Sequence, residues 1–357
     1  MDTQKPTLAE QGGGGALDDS VEDLLEELLD QAVGSGSDEQ LRRIFTTAVE
    51  LASAGADRLD LKIMSGALSE MAAAFRMFAP YRGVRKLTIF GSARTRRDDP
   101  LYDQARRLAQ RFAEAGWMIV TGAGPGIMEA GLEGAGRERA IGVNIRLPFE
   151  QRVSKHIAKD PKLVHMRYFF TRKLMLVKES HAFCFLPGGF GTQDEAFELL
   201  TLVQTGKAEP APIVLLDFPG GSYWSGWERF VDAELARAGY IAPEDRSLYR
   251  ITDDVERAFD ELIGFYRNYH SMRFVGPDLV LRVQRLPTEE RIEELSVRFA
   301  DIAPSGLRSG APLPVEVAEG DVPELGRVLL RFDRRHYGRL RQLIDALNDE
   351  AGLVAEP

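Results

Sequence analysis

One cysteine, Cys184, stands in 357 residues, which excludes an internal disulfide framework and the common multi-cysteine zinc sites. The five histidines are scattered and form no H-x-x-x-H pair, so no metal centre is expected. No stretch approaches the roughly 18 uninterrupted apolar residues of a membrane-spanning helix. The opening segment MDTQKPTLAEQGGGG lacks the basic and apolar regions of a signal peptide. An excess of positive charge is missing too: 45 Lys and Arg against 55 Asp and Glu leave a net charge of −10, which argues against general nucleic-acid binding. These absences point to a cytoplasmic protein with no membrane contact, no nucleic-acid partner and no cofactor.

What is present is ordinary globular material, 44% hydrophobic and 28% charged, enough for about two to three domains at roughly 100–200 residues each. The charge is uneven. Residues 1–30 carry nine acids and one base, whereas residues 151–180 carry eight bases and two acids. An acidic chain with one concentrated basic stretch suggests a localised anion site, although long Lys and Arg side chains also coat exposed helices.

Composition changes mark four regions. Residues 1–16 contain GGGG and little apolar content and are expected to be a disordered tail. Residues 17–80 form a helical module: Ser20 opens an acidic helix through Gln31, Ser37 and Gln40 form a capping box for a helix stopping near Gly55, and Asp57 opens a longer helix ending before Pro80. Its apolar face needs a partner, either the main domain or a second subunit. Residues 81–272 alternate strands and helices. The strands are LTIFGS (87–92), WMIVTG (117–122), AIGVNI (140–145), HAFCFLP (181–187) and PIVLLD (212–217). Helices are expected from Asp99 to about Ala115, after the 122–126 turn, from Thr192 to Gln204, from Tyr223 to Arg237 and from Asp253 to Tyr269. This spacing implies an α/β, Rossmann-like, doubly wound parallel sheet. Residues 273–357 hold strand candidates DLVLRVQ and GRVLLRFD and helices TEERIEELSVRFADI and YGRLRQLIDALND, joined through a Pro/Gly/Ser-rich connection at 303–313. They are expected to form a small α+β domain.

In such sheets ligands bind beyond the carboxyl ends of the strands. Two glycine turns fall there: Gly122-Ala123-Gly124-Pro125-Gly126 and Gly188-Gly189-Phe190-Gly191-Thr192. Missing β-carbons let the backbone approach an anion, and free amides at a helix N-terminus point at it. Thr192 adds a hydroxyl, and Ser92 closes the first strand. Tight βα turns need glycine anyway, so a single such turn is weak evidence. The pattern P-G-G-x-G-T-x-x-E puts Glu195 in the first turn of the helix that starts at the loop, where the helix dipole favours an ionised carboxylate suited to a base or cation stabiliser. An acid there also serves as a plain dipole partner. Arg172, 23 residues upstream, can bind phosphate or sugar oxygens bidentately, with Lys173 adding a point charge. Glu198 shares the helical face of Glu195 at i+3 and supports it.

Arg172-Lys173 followed by PGGFGTQDE resembles the LOG (Lonely Guy) family of cytokinin riboside 5′-monophosphate phosphoribohydrolases, as do GAGPGIMEA at 122–130 and DFPGGSYWSGWERFVDAEL. The resemblance covers about residues 84–270. It implies a Rossmann-like fold, a homodimer or higher homo-oligomer, and a 5′-monophosphate held by the glycine loops. It further implies cleavage of the N-glycosidic bond to free base and ribose 5-phosphate, with Arg172 and Glu195 in the catalytic positions. Phe169, Phe170 and Thr171 stand where plant-type members have Met-His-Glu, and this bears on base preference. The rival expectation is a non-catalytic nucleotide- or cofactor-binding protein of the same fold. Neither loop reads as G-x-G-x-x-G with an acid about 20 residues on, which argues against a dehydrogenase. Lysine decarboxylation lacks a convincing pyridoxal phosphate site.

Overall fold

The computed structural model describes residues 39–147 and 153–349, together with Asp23, Leu24, Glu27 and Leu353. The expected tail at 1–16, most of the Ser20–Gln31 helix and the capping residue Ser37 lie outside the described residues. Two compact units divide the chain between Ser69 and Glu70. In the first, helix α1 runs over Glu39–Ser53. Asp57 then opens helix α2, Arg58–Phe78, its carboxylate accepting from the amides of Leu59 at 2.6 Å and Asp60 at 2.9 Å. Within this unit Leu59, Leu61, Met64 and Leu68 are exposed. No described helix is long and apolar enough to cross a membrane.

The second unit contains the expected alternation. In chain order it runs β1 (Lys86–Phe90), α3 (Pro100–Glu114), β2 (Met118–Thr121), α4 (Ile127–Arg139), β3 (Ala140–Ile145), β4 (Leu163–Met166), α5 (Phe169–Lys178), β5 (Ala182–Phe185), α6 (Phe190–Gln204), β6 (Ile213–Leu216), α7 (Tyr223–Phe230), β7 (Arg250–Thr252) and α8 (Val255–Gly264). All seven strands pair in parallel in the order β4-β3-β2-β1-β5-β6-β7. β1, β2, β3, β5 and β6 are buried at every residue, as expected of strands with both faces covered. The chain winds outward from β1 through β4, then returns to place β5 against the other side of β1. The sheet therefore reverses direction between β1 and β5, and the loops leaving these two strands diverge to either side. Phe90 and Phe185 stack at 4.6 Å across this junction, holding the strand ends together.

Several elements depart from the sequence expectation. β4 lies inside the basic stretch and β7 has only three residues. Short edge strands of this kind leave a weak apolar signature. The expected Tyr223–Arg237 helix is α7 followed by a π turn over Val231–Ala236. The helix expected through Tyr269 ends at Gly264, because Tyr269 begins strand β8, Tyr269–Val275. A turn through Gly276, whose φ is +57°, joins β8 to β9, Asp278–Val283. With β10 (Leu307–Gly310) and β11 (Gly326–Leu330) they form an antiparallel sheet in the order β10-β11-β9-β8. α9 (Glu289–Arg298) and α11 (Tyr337–Leu347) pack their apolar residues into a shared core with this sheet. β10 and the short α10, Pro314–Ala318, occupy a stretch expected to be a connection and its continuation.

Candidate active site

A cleft of about 760 Å³ opens where β1 and β5 end, at the point where strand order reverses. Its walls come from the loops after β1 (Gly91, Ser92, Arg94), β2 (Gly122) and β5 (Gly188–Gly191), and from the starts of α5 and α6. The two glycine turns are built for close approach. A β-carbon on Gly126, at φ +68°, would collide with the Ser92 carbonyl oxygen. That carbonyl caps α4 by accepting from the Ile127 amide at 3.0 Å. The Gly188 loop is tied by Ser92 N donating to Pro187 O at 3.2 Å and by the Tyr223 hydroxyl donating to Gly188 O at 2.6 Å. Tyr223 in turn accepts from Gln193 Nε2 at 2.6 Å. Gly189 and Gly191 border open space; Thr192 N donates back to Gly189 O at 3.0 Å, and the amides ahead of it precede any carbonyl that α6 itself offers.

Arg172 reaches the cleft from the first turn of α5. Glu70 fixes the start of that helix, accepting from Arg167 N at 2.8 Å, Thr171 Oγ1 at 2.9 Å and Tyr168 N at 3.4 Å. Arg172 Nε donates to Val143 O at 3.1 Å, and its guanidinium packs so closely on Gly122 that a β-carbon there would overlap it. Burial lowers the Arg172 pKa and the nearby Glu195 charge opposes that. Gly122 therefore makes room for a side chain as well as lining the cavity.

Glu195 is 7% exposed, and its Oε2 is buried with no hydrogen-bond partner. Burial pushes its pKa up to about 7, against the pull of Lys173 and Arg172. This departs from the expectation that the helix dipole favours the ionised carboxylate. α6 begins at Phe190 rather than Thr192, so Glu195 lies in the second turn, where the dipole that favours ionisation has faded. A carboxyl balanced near neutrality in the wall of a cavity can exchange protons with a bound molecule.

Of the residues singled out in the sequence, Ser92, Gly122, Arg172, Gly188, Gly189, Gly191, Thr192 and Glu195 line this cleft. Gly124, Gly126, Lys173 and Glu198 are not among its lining residues. The Lys173 ammonium, expected to meet a phosphate, instead pairs with Glu198 at 2.6 Å and Asp194 at 2.8 Å and lines a neighbouring cavity of about 1400 Å³. Glu198 is thus a partner of Lys173 in that second cavity. The sequence reading missed Arg94, Met128, Gln193 and Tyr223, whereas Phe169, noted there for its bearing on base preference, lines the cleft. Tyr223 carried a signal, since it starts the helix after β6 at the same carboxyl edge of the sheet. The cleft lining includes the carboxylates Asp194 and Glu195 but no histidine or cysteine, so its described residues offer no three-ligand metal set.

The family described as "Possible lysine decarboxylase" matches residues 125–262. The probable cytokinin riboside 5′-monophosphate phosphoribohydrolase LOG6 of Arabidopsis thaliana is 30% identical over 154 residues, covering 42% of this chain and 71% of that protein. The chain belongs to the LOG family. The cytokinin riboside 5′-monophosphate phosphoribohydrolase of Mycobacterium tuberculosis is 28% identical over 161 residues, 44% of this chain and 83% of that one. The rice relative LOGL3 of Oryza sativa subsp. japonica is 32% identical over 99 residues, and the chain spans only 44% of that LOG-family protein's length. Among solved structures, the molybdenum cofactor binding protein of Rippkaea orientalis aligns with a TM-score of 0.36 at 19% identity, over 50% of this chain and 94% of that one. The molybdenum cofactor carrier protein of Chlamydomonas reinhardtii gives 0.34 and 20%, over 49% and 94%.

Proposed function

We propose that the protein hydrolyses the N-glycosidic bond of nucleoside 5′-monophosphates, releasing free base and ribose 5-phosphate. The observation that carries this reading is the orphaned Oε2 of Glu195, buried in the cleft beside Arg172 with a pKa near 7. Cleavage of a glycosidic bond develops positive charge at the anomeric carbon. In its ionised form Glu195 stabilises that charge and accepts a proton from the attacking water. The C1′–N bond breaks, the water oxygen bonds to C1′, and the departing base takes up a proton. Arg172, held by Val143 O and Gly122, hydrogen-bonds the ribose or the leaving base. The amides at Gly189–Gly191 and the side chain of Thr192 bind the 5′-phosphate, so binding energy remote from C1′ holds the sugar in position. Met128, Ile145, Leu147 and Phe169 add apolar lining suited to a base.

The names of the LOG relatives support a nucleotide substrate. The exposed Phe170 and Leu174 on α5 support a homo-oligomer. The deciding experiment incubates the purified chain with AMP, GMP, CMP, UMP and N6-isopentenyl AMP and follows base by chromatography and ribose 5-phosphate by enzymatic assay. Stoichiometric release of both products from at least one nucleotide is expected. Nucleotide that binds and is recovered intact across the panel overturns the reading in favour of a binding protein.

A further inference from the structure

Glu129 and Glu133 lie one turn apart on α4, so their carboxylates leave the same helical face. His156 belongs to the turn at 155–159, which is tied to the first glycine loop by Ser154 N donating to Ala123 O at 3.0 Å. Its Nε2 stands 3.8 Å from Glu129 Oε1 and 3.5 Å from Glu133 Oε2. That nitrogen is buried and has no hydrogen-bond partner. The three atoms all lie within 4.8 Å of one another. A tetrahedral ion with bonds of about 2.0–2.2 Å holds its ligands about 3.3–3.6 Å apart, close to the two separations from His156.

The surroundings fit this geometry. Tyr102 Oη donates to Glu133 Oε2 at 2.8 Å, which fixes the orientation of that carboxylate as an outer hydrogen bond does around metal ligands. Arg97 supplies positive charge to the pair, its Nη2 bonding Glu133 and standing 3.8 Å from Glu129. Arg97 is 54% exposed and lies on the loop between β1 and α3, so it can swing into solvent when another cation arrives. One imidazole nitrogen with two carboxylate oxygens suits a borderline ion such as zinc, whereas magnesium and calcium favour oxygen-only sets.

We propose that Glu129, Glu133 and His156 form a divalent-cation site of the zinc class, which clips the 155–159 turn to α4 and exchanges the ion for the Arg97 guanidinium. The inference stands on residues outside the cleft and does not depend on the reaction proposed above. It departs from the expectation of no metal, because neither an i, i+4 glutamate pair nor a histidine more than 20 residues away registers as a motif.

The test titrates chelator-treated full-length protein with zinc chloride by calorimetry and follows the thermal midpoint in parallel. One equivalent is expected to bind, with the midpoint rising as free zinc exceeds the dissociation constant. His156→Ala and the isosteric Glu129→Gln should each lose this equivalent while retaining the native circular dichroism spectrum. Arg97→Ala should bind about threefold tighter, since a half-exposed competing ion pair is removed. Equal zinc binding by the wild type and both ligand variants, absence of binding in the wild type, or weaker binding by Arg97→Ala would overturn the site.

Discussion

Glu195 in the cleft and Glu316 in the antiparallel domain are both buried, at 7% and 0% exposure, and both sit on helices near arginines. Their surroundings differ in one respect. Glu316 accepts from Arg282 Nε at 3.1 Å, Arg327 Nε at 2.9 Å and the Leu313 amide at 3.2 Å. Its pKa is lowered, with burial pushing up and the Arg327, Leu313 and Arg282 bonds outweighing it. Glu195 keeps an oxygen without a partner and its pKa rises to about 7. A carboxylate whose acceptors are filled by its own chain is committed to holding the fold. One left short beside open volume is available to a ligand.

Exchanging the two acids should separate activity from stability. Glu195→Gln is expected to slow base release from AMP by about 10²–10⁴-fold, the usual span for a proton-transfer group, with nucleotide affinity largely retained. Full activity in that variant would erase the contrast. Glu316→Ala is expected to cost about 3–5 kcal/mol of unfolding free energy by denaturant titration, because the fully buried Arg327 loses its counter-charge and Arg282 keeps only that of Asp321. Turnover per folded molecule should stay near wild type. Gly122→Ala tests whether the cleft is organised around Arg172. The added methyl would displace the guanidinium, and a shift of about 1 Å is expected to lower kcat/KM about 10²-fold with little loss of stability.

The smallest effect is a difference in pH dependence. Glu195 has a folded-state pKa above its unfolded value, so its favourable contribution is present below about pH 4.5 and is lost as pH rises to about 7. Glu195→Gln should therefore be more stable than wild type by about 1–3 kcal/mol above pH 7 and should flatten the decline between those pH values. Glu316 works in the opposite sense: its contribution is present above the unfolded carboxylate pKa and is lost as pH falls through the lowered folded value. Urea titrations across pH 3–8 check both signs (the pH range being about that over which carboxylates titrate).

The same contrast explains what the sequence made legible. The five fully buried strands of the parallel sheet were readable because strands covered on both faces are continuous apolar runs, and the glycine loops were readable because they break those runs at one edge. β4, β7, β8 and β10 escaped notice: they are short or carry polar residues on one side, and Tyr269 continued an apolar pattern that the chain interrupts after Gly264. The places of Arg172 and Glu195 on the cleft wall were legible from spacing. Lys173 was misdirected because spacing along α5 does not reveal that its ammonium turns to Asp194 and Glu198 on α6. The second-turn position of Glu195 likewise depends on where α6 begins, which sequence reading fixes only to within a few residues.

The most direct measurement is a crystal structure of Glu195→Gln soaked with AMP. The account predicts the residue-195 carboxamide about 3–4 Å from C1′ or from a water positioned to attack it, with the 5′-phosphate against the amides of Gly189–Gly191. A nucleotide bound in this cleft with C1′ turned away from position 195, or bound elsewhere on the protein, would contradict it.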